Sequence, residues 1–341
     1  MISRKENVKR SIAFSGPEFC PTDIWFDPNF MHEKDEKKLA IIQELQAKLG
    51  EDIWEDNWIW LDTLYHKEDG FLYKDDEWGT KWVDEGTGMK TIWHPMEDGY
   101  EYIDRVTFPD PKNQARYAHL DHVIAQKMDT YIAARVFFSA FERLWCLRGY
   151  ENALCDPFVE PEEFGALKER VFAVLDGIVD ELIKRDIDAV FFGDDWGSQR
   201  ALIFSPDFWR KEFKPGFARL FQKVRDSGKH VWHHSCGCVT DLLPDLIDMG
   251  LNVLNPVQPQ AMDVEMLSKK YGGHLCFNGG LDVQGLMVNG SPEEVKQEVK
   301  RLIHLFGRFQ GGYIINSSHT IMPETPLDNI IALYEAILEY R

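Results

Sequence analysis

The chain has 341 residues, of which 44% are hydrophobic and 13% aromatic, enough apolar material for one α/β barrel or two ordinary domains. Its formal net charge is −19 and it has no Lys- or Arg-rich run, which argues against DNA, RNA or an anionic membrane as a partner. The cysteines lack the spacing of a disulfide framework, and neither a signal peptide nor a bilayer-spanning apolar stretch occurs, so we expect a soluble, cytoplasmic protein.

Early in the chain, residues 22–26 (Thr-Asp-Ile-Trp-Phe) are interpreted as a first strand. Residues 51–128 show few regular helix or strand periods. They hold six of the eleven tryptophans and many acidic residues. We interpret them as an irregular aromatic-rich insertion that covers a barrel mouth and forms part of a substrate lid. A surface elaboration that serves only packing fits the composition equally well. Without a linker or internal repeat, residues 1–341 are predicted to form a single domain.

From about residue 129 onward, short β-rich runs alternate with amphipathic helical patterns. Gly228, Gly250 and Gly272 each follow a helical pattern, where a left-handed residue commonly ends a helix. Repeated βα units predict parallel strands with right-handed crossovers, so the fold class we expect is α/β, a (β/α)₈ TIM barrel. The predicted strands are 130–136, 189–192, 231–234, 251–254, 275–278 and 313–316. The predicted helices are 161–185, 206–227, 240–249, 263–271, 292–308 and 326–340.

The most informative chemical motif is His234-Ser-Cys236, at the end of a predicted strand. An imidazole and a thiolate at this spacing can bind one soft tetrahedral cation, usually Zn²⁺. A third ligand must come from elsewhere, and His319 is the best candidate because it also follows a predicted strand. Cys276 and Cys238 are the alternatives. Such residues at strand ends are also often simply packed, so the motif alone does not decide between a metal site and a core.

Two carboxylates are predicted to be catalytic because barrel chemistry takes place at the carboxyl ends of the strands. Asp195 follows the strand 189–192 and is suited to acid–base work or to orienting a metal-bound histidine. A helix cap or loop anchor is its ordinary structural role. Glu142 is the second candidate, although it could instead pair with Arg143 or Arg148.

Substrate-binding residues are expected at or just after other strand ends. They are Asp194, Trp196, Gln199, Gln258, Asn278 and Asp282. Asp282 could instead cap a turn. The tryptophans predict a flat apolar mouth suited to an aromatic substrate, although buried tryptophan more often belongs to a core.

Taken in order, the chain resembles the uroporphyrinogen decarboxylase superfamily, and within it the zinc-dependent, corrinoid-linked methyltransferases. The resemblance covers most of the chain in collinear order. The matching segments are Arg4-Lys-Glu-Asn-Val8, Asp76-Glu-Trp-Gly79, Phe141-Glu-Arg-Leu-Trp-Cys-Leu-Arg-Gly149, Gly193-Asp-Asp-Trp-Gly-Ser-Gln199, Ser205-Pro, Lys214-Pro-Gly216, His234-Ser-Cys-Gly237, Asn255-Pro-Val-Gln258, Asn278-Gly-Gly-Leu-Asp282, Ser318-His319, Pro323 and Thr325-Pro326.

The resemblance implies a barrel fold, with His234 and Cys236 as zinc ligands. In the coenzyme M methyltransferases of this group, the third protein ligand is a cysteine in the loop before the last helix, and the matching position here is His319. One thiolate and two neutral imidazoles would leave zinc with a formal positive charge, which favours Lewis-acid work on an oxygen. We therefore expect methyl transfer from a small O-methylated substrate, such as an aromatic methyl ether, to a cob(I)alamin carrier protein.

Three alternatives remain open at this stage. One is a methylcobamide:thiol or methylcobamide:tetrahydrofolate methyltransferase, and another is a binding protein that has lost turnover. The third is a metal-free decarboxylase, which in this superfamily holds substrate carboxylates with an arginine-bearing segment near the N-terminus. The corresponding region, Asp23 to Met31, contains no arginine. A corrinoid-binding Asp-x-His-x-x-Gly segment is also absent from the sequence, so the corrinoid is expected on a partner protein. The oligomeric state stays open, a homodimer included.

Overall fold

The computed structural model describes residues 2–27, 36–55, 59–84 and 88–341, with only the backbone described at 62–64. Residues 28–31 of the arginine-free segment and residues 56–58 and 85–87 of the insertion therefore lie outside the described residues. Among the helices of the described residues, none has the length and apolar character needed to cross a bilayer.

A curved, all-parallel sheet of seven strands forms the centre of the molecule, in the order β1-β6-β7-β8-β9-β10-β11. Most of these strands are buried on both faces, as expected for a parallel sheet covered by helices. Their bounds are β1 Ile53–Glu55, β6 Tyr131–Val136, β7 Ala189–Gly193, β8 His230–His234, β9 Val253–Val257, β10 Cys276–Leu281 and β11 Tyr313–Ser317.

Thirteen α-helices are assigned in the described residues, and the longer ones between strands are amphipathic. Their bounds are α1 Arg4–Ile12, α2 Glu36–Leu49, α3 Ala118–Gln126, α4 Phe141–Arg148, α5 Tyr150–Val159, α6 Pro161–Leu182, α7 Pro206–Glu212, α8 Lys214–Asp226, α9 Leu243–Met249, α10 Val264–Tyr271, α11 Leu286–Asn289, α12 Pro292–Gly307 and α13 Leu327–Tyr340. Short 3₁₀ helices occupy Tyr100–Arg105, Gln114–Tyr117 and Thr240–Leu242.

The prediction of an α/β fold with a parallel sheet is confirmed, but the prediction of a closed eight-stranded barrel is wrong for the described residues. Residues 22–26 do not form a strand, since Thr22 and Phe26 make only isolated parallel bridges, to Ile315 and Ile321. On its other side, the Thr22 N–H donates to the carboxylate of Asp52 at 3.0 Å. A side chain thus occupies the place where a strand ladder would close the ring.

The insertion, predicted to be irregular, instead contains regular elements, and one of them belongs to the main sheet. Ile53–Glu55 had no strand signal of its own, yet it pairs in parallel with β6 as the first strand of the main sheet. The rest of the insertion includes an antiparallel sheet of β2 Asp62–Glu68, β3 Phe71–Asp76, β4 Lys81–Asp84 and β5 Met89–Trp93. A fully buried ion pair between Asp76 and Arg143 fastens this sheet to α4.

Two predictions about helix ends are also corrected. The single helix predicted for 206–227 is broken at Phe213 into α7 and α8, because Pro215 has no N–H to continue the hydrogen-bond ladder. Gly228 and Gly250 have the expected positive φ of 76° and 96°. Gly272 does not, with a φ of −57°. The next residue, Gly273, adopts the left-handed conformation instead.

The interior of the curved sheet is packed with large side chains. Tyr131, Phe191 and Trp232 are fully buried in this layer, and Val8 and Ile12 of α1 pack against it. Trp25 and Phe137 pack on the same layer while remaining partly exposed. They form the floor of a cavity at the carboxyl ends of the strands.

Candidate metal centre

The cavity that holds the sequence motif has a volume of about 280 Å³. Its lining comes from the N-terminal segment, from the carboxyl ends of β6 and β8, from α4, and from loops that follow strands of the main sheet. The lining residues are Trp25, Arg135, Phe137, Phe138, Glu142, Asp195, His234, Cys236, His319 and Thr320. A second cavity, of about 380 Å³, shares Trp25, Arg135 and Thr320 with it and continues past Trp54 and Glu55.

Three side chains in the first cavity offer donor atoms that all lie within 4.8 Å of one another: Asp195, His234 and Cys236. The Cys236 Sγ is 3.5 Å from the His234 Nε2, and that nitrogen is 3.7 Å from the Asp195 Oδ1. Among the described residues, no other group of three such side chains meets this condition. Imidazole, thiolate and carboxylate are the ligand types found in zinc sites.

The strand register explains why these three groups meet. β7 and β8 are neighbours, with Gly193 paired to His234, so the loops that follow them lie side by side. Asp195 in the first loop accepts the Cys236 N–H at 2.7 Å. The loops approach so closely at Gly197 and Gly237 that a Cβ at position 197 would lie 2.6 Å from the Cys236 carbonyl oxygen. Glycine at both positions therefore permits the contact.

The protonation states of the two motif residues suit metal binding in different ways. Burial lowers the pKa of His234, which keeps the ring neutral with a lone pair to donate. Burial, followed by the negative charge of Asp195, raises the pKa of Cys236, so its thiol stays protonated when no cation is near. A divalent cation reverses that balance and deprotonates a coordinating thiol outright. The donor set therefore fits zinc, with a thiol proton released on binding.

The predicted third ligand, His319, lines the same cavity but is not one of the three grouped donors. It is exposed, and its Nδ1 lies 3.0 Å from the Thr320 Oγ1. The two alternatives lie elsewhere. Cys276 is buried in the interior layer of the sheet, and the Cys238 Sγ is 3.7 Å from the Thr240 Oγ1.

Glu142 lies in the cavity wall beside Asp195. Burial, followed by the charges of Asp195 and Asp194, raises the pKa of Glu142 well above its usual range, which favours the protonated carboxyl group. The two arginines considered as its partners pair with other residues, Arg143 with Asp76 and Arg148 with Asp156.

Asp194 positions the backbone of Glu142 through hydrogen bonds at the start of α4. It is fully buried and accepts the N–H groups of Phe141 and Glu142 at 3.0 and 2.8 Å, as a cap on the first turn of α4. It also accepts the Trp196 indole N–H at 2.7 Å. Burial raises the pKa of Asp194 to about 7.

None of the six residues predicted to bind substrate lines this cavity. Trp196 is fully buried and stacks on His233 at 4.1 Å, whereas Gln199 is exposed. Gln258 accepts the Gly237 N–H, and Asp282 accepts three backbone N–H groups at the start of α11. Asn278 and Asp194 are fully buried among other polar groups.

Sequence reasoning missed Arg135 and the aromatic residues of the cavity. The Arg135 guanidinium lies 4.5 Å from the Trp25 ring and 5.1 Å from the Phe137 ring, and it forms an ion pair with Glu55. Burial lowers the pKa of Arg135 to about 10. The available signal was an arginine inside an otherwise apolar strand, because charged residues are rarely buried without a partner.

A family model described as uroporphyrinogen decarboxylase (URO-D) matches residues 137–340. A uroporphyrinogen decarboxylase from Pelodictyon phaeoclathratiforme is 24% identical over 198 residues, which are 56% of this chain and 53% of that protein. Another, from Thermus thermophilus, is 32% identical over 136 residues, 40% of this chain and 38% of that protein. The chain thus spans about half the length, or less, of these curated relatives.

Among solved structures, a methyltransferase from Methanosarcina mazei superposes on the chain with a TM-score of 0.73. The superposition covers 100% of this chain and 99% of that one, with 14% sequence identity. At that identity the likeness shows a shared fold.

Proposed function

The chain belongs to the uroporphyrinogen decarboxylase family, and on that premise we propose that it is a zinc-dependent methyltransferase that takes a methyl group from a small O-methylated substrate and passes it to a corrinoid protein. The observation that carries the proposal is the convergence of His234, Cys236 and Asp195 in one cavity, beside the Glu142 carboxyl group, whose pKa is raised by burial. A metal-ligand set next to an acid suits cleavage of a carbon–oxygen bond better than decarboxylation.

His234, Cys236 and Asp195 would hold the metal. Three protein ligands leave one tetrahedral position open, which is the arrangement of catalytic zinc sites. Zinc bound there supplies a Lewis acid that polarises the oxygen of a methyl ether. The exposed His319 lies on the same cavity and is free to approach that oxygen or the substrate ring.

Glu142 would supply the proton that the reaction needs. When the methyl group leaves for the corrinoid, the bond between the methyl carbon and oxygen breaks and the electron pair remains on oxygen. The resulting phenolate or alkoxide takes the proton of the Glu142 carboxyl group, which leaves the carboxylate to be reprotonated from solvent. Methyl transfer to a thiol would have no use for such an acid, which favours the methyl-donor side of the pathway.

The three grouped donors change the formal charge expected at the zinc site. With Asp195 in place of His319, one thiolate, one carboxylate and one imidazole leave zinc formally neutral. The expected excess positive charge is therefore no longer a reason to assign the protein to the methyl-donor side. The assignment depends instead on the position of the Glu142 carboxyl group in the cavity wall, where burial raises its pKa.

The walls of the cavity favour a flat, apolar substrate. Trp25, Phe137 and Phe138 line it, and Arg135 is already paired with Glu55. Aromatic rings stack on one another in offset or edge-to-face geometry, so a methoxylated aromatic compound fits these walls.

The test is a comparison of methyl acceptors and donors with the zinc-loaded protein and a cob(I)alamin carrier protein. Demethylation of methoxylated aromatic compounds is the expected result. Turnover with thiols alone as the methyl acceptor would place the protein on the acceptor side and contradict the proposal.

A decarboxylase function is the second candidate, favoured by the names of the curated relatives. A porphyrinogen with several carboxylates needs cationic partners, and among the described residues that line the cavity of the motif Arg135 is the only Lys or Arg. Decarboxylation of uroporphyrinogen by metal-free protein would support this candidate over methyl transfer.

A further inference from the structure

A chain of buried hydrogen bonds leads away from His234, at the end of β8, through β9 and β10 to the N-terminal segment. The His234 Nδ1 lies 2.6 Å from the Asn255 Oδ1. The Asn255 Nδ2 donates to the Asn278 Oδ1 at 3.0 Å, and the Asn278 Nδ2 donates to the Asp23 Oδ2 at 2.7 Å. All four side chains are buried, and both asparagines are fully so.

The row of hydrogen bonds has a fixed donor-to-acceptor direction because Asp23, at its end, differs chemically from the two asparagines. Each asparagine amide has one end that donates and one that accepts, whereas a carboxylate oxygen accepts. The acceptor Asp23 therefore turns the Asn278 NH₂ towards itself and the Asn278 oxygen towards Asn255. Asn255 then has to present its own oxygen to His234. Asn316 supports the same orientation, since its Nδ2 lies 3.2 Å from the Asp23 Oδ2 and 2.9 Å from the Asn278 Oδ1.

We propose that Asp23, Asn278 and Asn255 are positioning residues that hold the proton of neutral His234 on Nδ1 and keep Nε2 free to bind the metal. The proposal deepens, and rests on, the assignment of His234 as a zinc ligand. A second contact from Asp23 orients the same ring. Its Oδ1 accepts the Trp25 indole N–H at 3.1 Å, and Trp25 stacks on His234 with ring centroids 6.0 Å apart.

The reverse arrangement shows what Asp23 contributes. If the asparagine amides inverted, Asn255 would offer an N–H to Nδ1, and the histidine proton would move to Nε2. That nitrogen faces the Cys236 Sγ at 3.5 Å and could no longer donate a lone pair to a cation. Hydrogen bonds that fix the tautomer of a metal-binding histidine are worth about 10–100-fold in metal affinity.

The decisive variant is Asp23→Asn, which keeps the size of the side chain but permits either orientation of the amides. Asp52→Asn is the matched control because Asp52 is equally buried and hydrogen-bonded to Thr22, yet is not a member of the chain. Two quantities are measured. The first is the His234 tautomer in metal-free protein, from ¹⁵N chemical shifts, and the second is the zinc dissociation constant, by competition with a chelator.

We expect Nδ1–H in the wild type and in Asp52→Asn, and a mixture of tautomers with zinc binding weakened about 10–100-fold in Asp23→Asn. Adding Asn255→Asp to Asp23→Asn should restore the Nδ1–H tautomer, since a carboxylate at position 255 accepts regardless of Asp23. If Asp23→Asn does not fold, Asn255→Ala replaces it and should likewise release the tautomer.

Two results would overturn the proposal: an Nε2–H tautomer in the wild type, or an unchanged tautomer in the folded variants that break the chain. The tautomer is measured in metal-free protein, so its outcome tests this proposal independently of the proposed zinc-dependent function. A wild-type protein with the Nδ1–H tautomer that binds no zinc would refute the zinc function and leave the hydrogen-bond chain standing.

Discussion

The Sγ of Cys236 lies 3.5 Å from the Nε2 of His234, two residues before it, although the strand has already ended between them. In an extended chain, side chains two residues apart point to the same face. His234 and Cys236 therefore both face the cavity, and their donor atoms lie close enough together for one cation. A metal placed between them therefore needs only one further group, and Asp195 is the nearest.

Replacement of the thiol tests the first ligand. Cys236→Ser should weaken zinc binding by more than about 100-fold, because even changes behind a ligand cost about 10–100-fold. Zinc content after dialysis against a chelator measures the effect. Cys238→Ser is the matched control and should bind zinc as the wild type does. Retention of zinc and activity by Cys236→Ser would exclude the site.

A pair of variants identifies the third ligand. Asp195→Asn should reduce zinc affinity by about 10-fold or more, since a neutral amide is a poorer ligand than a carboxylate. His319→Ala should leave the affinity unchanged because His319 is outside the donor group. Isothermal titration of metal-free protein with zinc measures both. The opposite pattern would make His319 the third ligand, as the sequence predicts.

Glu142 should contribute to the rate of methyl transfer and not to the binding of zinc. Glu142→Gln keeps the size of the side chain but removes the acidic proton, so we expect methyl transfer to slow by about 10²–10⁴-fold, the usual share of general acid catalysis. The loss should shrink for methoxylated substrates with strongly acidic phenol leaving groups, which need no proton. The control is Glu151→Gln, at an exposed position of α5. Equal losses for all substrates would contradict the role as a proton donor.

The stability of the protein should depend on pH through His230 at the start of β8. Burial, followed by the charge of Lys9, lowers the pKa of His230 to about 4. Its neutral Nδ1 lies 2.7 Å from the Tyr131 hydroxyl. Below the pKa of the unfolded chain, near 6.5, the unfolded state binds the proton and the folded state does not. The free energy of unfolding therefore falls as the pH drops from about 6.5 towards 4.

At pH 5 the His230 contribution should amount to about 2 kcal/mol relative to pH 7.5. Urea unfolding of the wild type and of His230→Gln at both pH values measures it, and the variant should lose less stability on acidification. His274→Gln, at an exposed histidine, should follow the wild type. An identical pH dependence in His230→Gln and the wild type would contradict the assignment.

The sequence predicted the repeating part of the fold because local signals determine it. The strands β6 to β11 lie within two or three residues of their predicted positions, since each joins a buried apolar run to an amphipathic helix. The strand Ile53–Glu55 was missed because three residues are too few to show a period. The break at Phe213 was missed although Pro215 marks it, because the apolar pattern of α8 continues across the break.

The site was predictable in part. His234 and Cys236 are close in sequence, so their motif places both at one strand end. Asp195 was assigned a catalytic role, but its distance from His234 depends on the alignment of β7 with β8, which sequence alone does not give. The hydrogen-bond chain to Asp23 joins residues 255 positions apart. No local pattern reports such a contact.

The most direct test of the metal centre is zinc K-edge X-ray absorption on the purified, zinc-loaded protein. We expect one sulfur ligand at about 2.3 Å and nitrogen or oxygen ligands at about 2.0–2.2 Å, with the sulfur contribution lost in Cys236→Ser. A spectrum from the wild-type protein that contains only oxygen and nitrogen neighbours would contradict the assignment of this cavity as a zinc site.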